Sequence, residues 1–204
     1  MPLDLTKRAL IAGVGALGAT AAIAQTSPAL ASRVVIQTAL GSIVIELAAD
    51  KAPITCANFL RYVDAGRLNG GTFYRALKIL PDPLTGLIQG GVKNDPAKAF
   101  PPIAHESTRI TGLTHKDGAV SMARYDPGTA TSEFFICIGD LSSLDAAADP
   151  AGDPGFAVFA HVIEGMAVAK AILTAPIDPT KGEEDHMKGQ LLGPEIGISA
   201  LKRA

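Results

Sequence analysis

From residue 33 onward, short runs of β-branched and aromatic residues alternate with segments rich in Gly, Pro, Asp and Ala. The first two runs, 34–38 and 42–47, are joined by a short turn at Gly41, which is typical of a β-hairpin. Similar apolar runs predict further strands at 72–77, 87–89, 118–124, 133–138, 156–163 and 195–201. This part of the chain is therefore expected to be rich in β structure.

Two segments are predicted to be helices. Pro53 is tolerated in the first turn of a helix, and Gly66 is a natural helix stop. Between them, apolar residues recur at i, i+3, i+4 and i+7, at Cys56, Phe59, Leu60 and Val63. A second helix is predicted over 166–173, after Gly165.

The order of these elements decides the fold class. Long loops are expected at 92–114, 141–155 and 174–193, and the two helices do not alternate with the strands as they would in a parallel sheet. The pattern therefore predicts a mainly β protein, an antiparallel β-barrel capped by two α-helices.

The first 31 residues have a different pattern. Lys7 and Arg8 precede an uncharged, Ala- and Gly-rich run at 9–24, and two small-x-small sequences follow at 22–24 and 29–31. This predicts a signal peptide over 1–31 and a mature domain over 32–204. The alternative, an uncleaved membrane anchor, would need roughly 20 apolar residues. We expect an exported, periplasmic protein with no stable membrane insertion after cleavage, while the cleavage site and export route stay open.

The same segment contains a GxGxxG pattern at 13–18, which in other contexts binds dinucleotides. That site needs a preceding strand and an acidic residue about 20 positions further on to hold a ribose hydroxyl. No acidic residue lies between Asp4 and Glu46. The pattern is therefore attributed to the composition of the leader.

Composition narrows the functional classes. Among 204 residues, Lys and Arg number 18 and Asp and Glu 20, a net charge of -2 with no basic run, so nucleic acid is not expected as a partner. The four histidines share no zinc-site spacing. Cys56 and Cys137 lie in apolar segments, and we expect two buried free thiols and no metal.

Candidate chemistry lies on the central strands. Strict alternation in 72–77 places Phe73, Arg75 and Leu77 on one face, with the charge between two apolar side chains. Gln89 ends one apolar run and Glu133 opens another. Together these residues predict a polar cluster beside an apolar pocket. The alternative is an ordinary edge-strand arginine whose stem packs while its head reaches water.

Seven motifs follow one another along the chain: Phe73-Tyr74-Arg75, Ile88-Gln89-Gly90-Gly91, 118–124, Ser132-Glu133-Phe134-Phe135-Ile136, Leu144-Asp145, Phe156-Ala157-Val158-Phe159 and 162–166. They occur in the order found in cyclophilins, and the chain resembles a bacterial exported cyclophilin-type peptidyl-prolyl cis-trans isomerase from about 34 to 201. The resemblance implies a closed eight-stranded antiparallel β-barrel capped by two α-helices.

The resemblance also implies roles for individual residues. Arg75 falls on the catalytic arginine and Gln89 on the glutamine beside it. The other positions form the substrate pocket: Leu87 on an apolar wall, Ala123 on a backbone position, Phe135 and Leu144 on the floor and side of the proline pocket, and Glu133 and Phe156 at two further pocket positions.

The chain departs from the family pattern at several of these positions. Tyr74 replaces a histidine, Glu133 a glutamine, and Ser143 a tryptophan, while Phe156 stands where His or Tyr is common. An insertion at 81–86 leaves Gly86 where a pocket phenylalanine is usual. We expect the Glu133 carboxylate to lie within reach of Arg75, where it would hold the arginine and compete with the substrate. The expected result is a working but slower enzyme.

The resemblance implies an isomerase that rotates X-Pro bonds in exported proteins as they fold. Its partners would be proline-containing polypeptides, it would be a monomer, and it would need no cofactor, metal or titrating base. One alternative is a catalytically weak cyclophilin-like peptide-binding module or holdase chaperone. Another is a small-molecule-binding barrel, which would not account for the ordered motifs.

Overall fold

The computed structural model describes residues 33–149, 151–182 and 187–204. The predicted signal peptide lies outside these described residues. No helix within the described ranges is long and apolar enough to cross a membrane.

The described residues form the strands β1 (Arg33–Thr38), β2 (Gly41–Leu47), β3 (Thr72–Ile79), β4 (Asp82–Gly91), β5 (Ala119–Met122), β6 (Phe134–Ile138), β7 (Ala157–Glu164) and β8 (Leu191–Arg203). The strands close into a barrel in the order β1-β2-β7-β5-β6-β4-β3-β8, and all neighbouring strands are antiparallel. The predicted mainly β, closed eight-stranded barrel is confirmed.

Three α-helices accompany the barrel in the described part of the chain, where the sequence predicted two: α1 (Pro53–Asp64), α2 (Thr108–Thr111) and α3 (Met166–Leu173). The additional helix, α2, is a single turn inside the predicted loop 92–114. Ser107 Oγ caps it by accepting the Arg109 N–H, and Gly112 ends it with φ 67°. One turn is too short for an apolar period to be visible in the sequence.

The strand β6 is apolar on both faces. Phe134 and Ile136 belong to the main core, where Phe134 meets Phe59 of α1 edge-on at a centroid distance of 5.5 Å. Phe135 and Cys137 face the other way, into a second apolar cluster. Both faces of this strand are covered, so every residue from Phe134 to Ile138 is buried.

A β-bulge in β3 changes which side chains share a face. Phe73 pairs with Gly90 and Arg75 with Gln89, which leaves Tyr74 as an extra residue between them. Phe73 therefore packs in the main core against Phe134, whereas Arg75 and Leu77 line a pocket on the opposite side. The prediction that Phe73 shares a face with Arg75 is wrong, because strict alternation does not hold across a bulge.

The insertion at 81–86 belongs largely to the β3–β4 hairpin. β3 continues to Ile79 and β4 already begins at Asp82. A Cβ on Gly86 would lie 1.9 Å from the Leu77 carbonyl oxygen, so this backbone has no room for a side chain. The close approach of the two strands accounts for the glycine at this position.

Candidate active site

All eight residues predicted for the site line one pocket of about 430 Å³ on the side of the barrel where β3, β4 and β6 meet. The structure brings together Arg75, Leu87, Gln89, Ala123, Glu133, Phe135, Leu144 and Phe156. Their proximity is a fact of the structure, while their parts in catalysis stay predictions.

One half of the pocket is an apolar socket. Phe135 is nearly fully buried, and the ring of Phe156 stands almost perpendicular to it, at 86° with centroids 5.5 Å apart. Leu87 and Leu144 belong to the same cluster, and the Phe156 N–H donates to the Leu144 carbonyl at 3.0 Å. Two perpendicular rings and two leucines form a rigid recess suited to a small apolar ring.

A buried histidine supports the floor of this socket. The His115 ring stacks on Phe135 with centroids 5.8 Å apart and 10° between the planes. Its Nδ1 lies 2.5 Å from Asp145 Oδ1, and its Nε2 lies 3.0 Å from Ser121 Oγ. Burial lowers the pKa of His115, although Asp145 acts in the opposite direction. The neutral ring, held at both nitrogens, fixes the position of Phe135.

The other half of the pocket is polar and centres on Arg75. Its Nη1 donates to Gln89 Oε1 at 2.9 Å, and its Nε donates to Gln190 Oε1 at 2.8 Å. Burial lowers the pKa of Arg75, but guanidinium groups stay charged in proteins. The two glutamine oxygens hold the guanidinium in a defined plane at the edge of the apolar socket.

Glu133 does not bind Arg75, contrary to the expectation from the sequence. Its Oε1 accepts the N–H groups of Val92 at 2.9 Å and Asn94 at 3.1 Å, and the Ser132 hydroxyl at 3.0 Å. These donors hold the carboxylate beside the segment that follows β4. Competition between Glu133 and a substrate for Arg75 is therefore not supported by the geometry.

Tyr74, the extra residue of the bulge, forms hydrogen bonds with both Glu133 and Gln89. Its hydroxyl donates to Glu133 Oε2 at 2.8 Å and accepts an N–H of Gln89 Nε2 at 2.6 Å. Burial, and next to it the charge of Glu133, raise the pKa of Tyr74, so the hydroxyl keeps its proton. The connection from Glu133 to Arg75 thus passes through Tyr74 and Gln89.

Several residues of the site were not predicted. Gln190, which binds Arg75, and Met187, which lines the pocket, come from the segment before β8, and nothing in their local sequence marks them. Arg124 lies in the motif 118–124, but no role was predicted for it. Its guanidinium carbon lies 4.8 Å from the centroid of the Phe156 ring, and its Nη2 donates to the Gly155 carbonyl oxygen. Both contacts help to hold Phe156 in place.

The arrangement combines an apolar recess with a fixed cation whose N–H groups can donate to a polar atom beside a bound ring. No group of three or more His, Cys, Asp or Glu side chains among the described residues is placed to hold a metal ion. The recess and the guanidinium of Arg75 can bind a ring and donate hydrogen bonds beside it.

Comparisons with known proteins agree with this geometry. Residues 33–189 match the family model for "Cyclophilin type peptidyl-prolyl cis-trans isomerase/CLD". The chain is 34% identical to peptidyl-prolyl cis-trans isomerase A of Dickeya dadantii, over 82% of this chain and 85% of that protein. It is 40% identical to a peptidyl-prolyl cis-trans isomerase of Acinetobacter baylyi, over 72% of this chain and 76% of the relative.

A solved structure shows the same fold. A Cryptosporidium parvum cyclophilin type peptidyl-prolyl cis-trans isomerase, crystallised in the presence of the dipeptide Ala-Pro, superposes with a TM-score of 0.65 at 23% identity. The match covers 84% of this chain and 98% of that one.

The barrel, the family match and these relatives define a class of enzyme, the peptidyl-prolyl cis-trans isomerases. The chain belongs to the cyclophilin-type peptidyl-prolyl cis-trans isomerase family, and the enzyme class predicted from the sequence is confirmed.

The buried His115 predicts how stability depends on pH. Because the folded-state pKa of His115 is lowered, acidification protonates this histidine in the unfolded chain before it protonates the buried ring. The free energy of unfolding therefore falls as the pH drops below the ordinary histidine pKa of 6.5. The variant His115→Gln removes the titrating group. We expect its free energy of unfolding, measured with urea at about pH 7.5 and about pH 5.5, to fall less on acidification than that of the wild type.

His161→Gln, which changes an exposed histidine of β7, serves as the control. Equal acid-induced losses in the wild type and His115→Gln would contradict the buried neutral histidine.

Proposed function

We propose that this enzyme accelerates rotation about X-Pro bonds, with Arg75 as its catalytic residue and the Phe135 socket as its proline site. The observation that carries the proposal is that the guanidinium of Arg75, fixed by Gln89 and Gln190, shares a pocket with the Phe135 and Phe156 rings. The Ala-Pro dipeptide used with the Cryptosporidium relative supports proline-containing polypeptides as substrates.

Rotation about an X-Pro bond requires little more than a site for the proline ring and one hydrogen-bond donor. The cis and trans forms of an X-Pro bond differ by about 0.5–1 kcal/mol, and amide resonance imposes a barrier of about 18–20 kcal/mol between them. No covalent bond is broken. In the twisted state the lone pair of the prolyl nitrogen is no longer delocalised into the carbonyl group, so it can accept a hydrogen bond.

Arg75 can donate to that lone pair. A donor directed at the prolyl nitrogen finds no acceptor in the planar ground state, so it stabilises the transition state selectively. The apolar socket holds the proline ring while the rest of the peptide rotates. Glu133, Leu87, Ala123, Leu144 and Phe156 complete the surroundings of the bound peptide in this proposal.

We also propose that the protein acts outside the cytoplasm, in the periplasm, on exported proteins that are folding. The proposal is supported by the charged start, the apolar run and the small-x-small sequences within residues 1–31. It is consistent with a family match that begins at residue 33. Each described strand has a partner on both sides in the closed barrel, which supports the predicted monomer.

The catalytic role of Arg75 is tested by substitution. We expect Arg75→Ala to lower kcat/KM on a short X-Pro peptide about 100-fold, the usual effect of removing one transition-state donor. Arg75→Lys should recover only part, because an ammonium cannot hold Gln89, Gln190 and a substrate in one plane. The measurement is a protease-coupled isomerisation assay.

Arg203→Ala, which removes an exposed arginine paired with Asp64, is the matched control and should keep wild-type activity. Equal activity of Arg75→Ala and wild type would refute the role of Arg75 and favour a peptide-binding module or holdase.

Export predicts a shortened protein. Expressed from its full gene in its native host, the chain should be recovered from the periplasmic fraction with a new N-terminus near Gln25 or Ser32. N-terminal sequencing of the fractionated protein is the measurement. Recovery of the full-length chain from the cytoplasm alone would contradict the proposal.

A further inference from the structure

Four side chains form a line of hydrogen bonds with a single direction. Arg75 donates to Gln89, Gln89 donates to Tyr74, and Tyr74 donates to Glu133. A guanidinium can only donate and an ionised carboxylate can only accept, so the two ends fix the direction of the whole line. The two central groups, an amide and a hydroxyl, could each be oriented either way if they stood alone.

We propose that Glu133 is a positioning residue for Arg75, acting through Tyr74 and Gln89; this role rests on the isomerase function proposed above. The carboxylate obliges the Tyr74 hydroxyl to point its hydrogen away from Gln89. The oxygen of Tyr74 then receives the amide N–H of Gln89. As a result, the Gln89 amide oxygen faces Arg75, which is the orientation that a donor needs.

The carboxylate itself is held firmly enough to set this direction. Glu133 is buried, with 3% of its surface exposed. Its Oε1 accepts hydrogen bonds from the N–H groups of Val92 and Asn94 and from the Ser132 hydroxyl. The buried N–H of Val92 and the partly buried N–H of Asn94 tie the carboxylate to the segment that follows β4. Glu133 Oε2 is thereby left in place for Tyr74.

A neutral glutamine at position 133 would no longer fix the direction of these hydrogen bonds. Its oxygen would be needed by the N–H groups of Val92 and Asn94, which turns its amide nitrogen toward the Tyr74 hydroxyl. The Tyr74 hydroxyl would then accept a hydrogen bond from the amide at position 133, and it could donate its own hydrogen bond only to Gln89. A flipped Gln89 amide would present N–H groups to the N–H groups of Arg75, and the guanidinium would lose one of its two supports.

From the sequence, the Glu133 carboxylate was expected to slow the enzyme by competing with the substrate for Arg75. In the structure the carboxylate lies two side chains away from Arg75 and supports its position instead. Tyr74 and Glu133, which depart together from the family pattern, are partners in one hydrogen bond. The function of the pair is therefore to orient Gln89.

The test is a double-mutant cycle of Tyr74→Phe and Glu133→Gln, measured as kcat/KM on one X-Pro peptide. Each single variant should lose about five- to tenfold, the equivalent of one net hydrogen bond. The double variant should lose no more than either single variant, because both changes break the same line. Tyr74→Phe leaves the backbone contacts of Glu133 intact, so it tests the line even if Glu133→Gln folds poorly.

Two further readouts separate positioning from a general structural effect. Affinity for an Ala-Pro-containing peptide, measured by NMR titration, should change less than twofold. Hydrogen exchange of the Arg75 guanidinium should speed up in both variants, while that of Arg61, held by Asn58 and Pro101, should not change.

Matched controls make the same chemical changes elsewhere. Glu195→Gln alters a carboxylate that binds Lys93 and Thr72, and Tyr62→Phe removes a buried hydroxyl that accepts the Phe100 N–H. Both should keep kcat/KM within twofold. Additive losses in the cycle, or full activity of Glu133→Gln beside an inactive Arg75→Ala, would overturn the positioning role of Glu133. Neither result would contradict the isomerase proposal. An Arg75→Ala variant as active as wild type would instead overturn the isomerase proposal itself.

Discussion

The extra residue at Tyr74 in β3 is the constraint on which the site depends. A regular strand would send Phe73 and Arg75 to the same side, and either the core or the pocket would lose its side chain. The bulge lets Phe73 pack against Phe134 inside the barrel while Arg75 points into the pocket. It also places the Tyr74 hydroxyl between Gln89 and Glu133. A local irregularity of the backbone thus serves the core and the polar half of the site together.

The polar half shows how a buried charge is accommodated beside an apolar recess. Removing Glu133 from water is costly unless donors surround it, and two backbone N–H groups, one serine and one tyrosine provide them. Arg75 is satisfied in the same way by two neutral glutamine oxygens. The two opposite charges are therefore stabilised separately. A direct ion pair would have used Arg75 N–H groups that the twisted peptide requires in the proposed mechanism.

Much of the architecture could be predicted from the sequence, because its causes are local or repetitive. Apolar alternation located the strands, and the i, i+3, i+4 spacing at Cys56 and Phe59 located α1. The ordered cyclophilin-like motifs identified eight of the residues that line the pocket. The one-turn helix α2 and the full extent of the β3–β4 hairpin were missed, because one turn shows no period and Pro81 and Pro83 resemble loop residues.

The sequence alone determined the fold class, the enzyme family and eight residues of the pocket. The tertiary structure decided the direction of each side chain and the pairing of the polar groups. Nothing near Gln190 in the sequence indicates that its oxygen meets Arg75, 115 positions away. Likewise, Glu133 was expected to bind Arg75 and instead binds Tyr74 and the backbone beyond β4. A hydrogen bond depends on distances of a few tenths of an ångström between distant segments, and these are set only when the barrel closes and the bulge fixes the register.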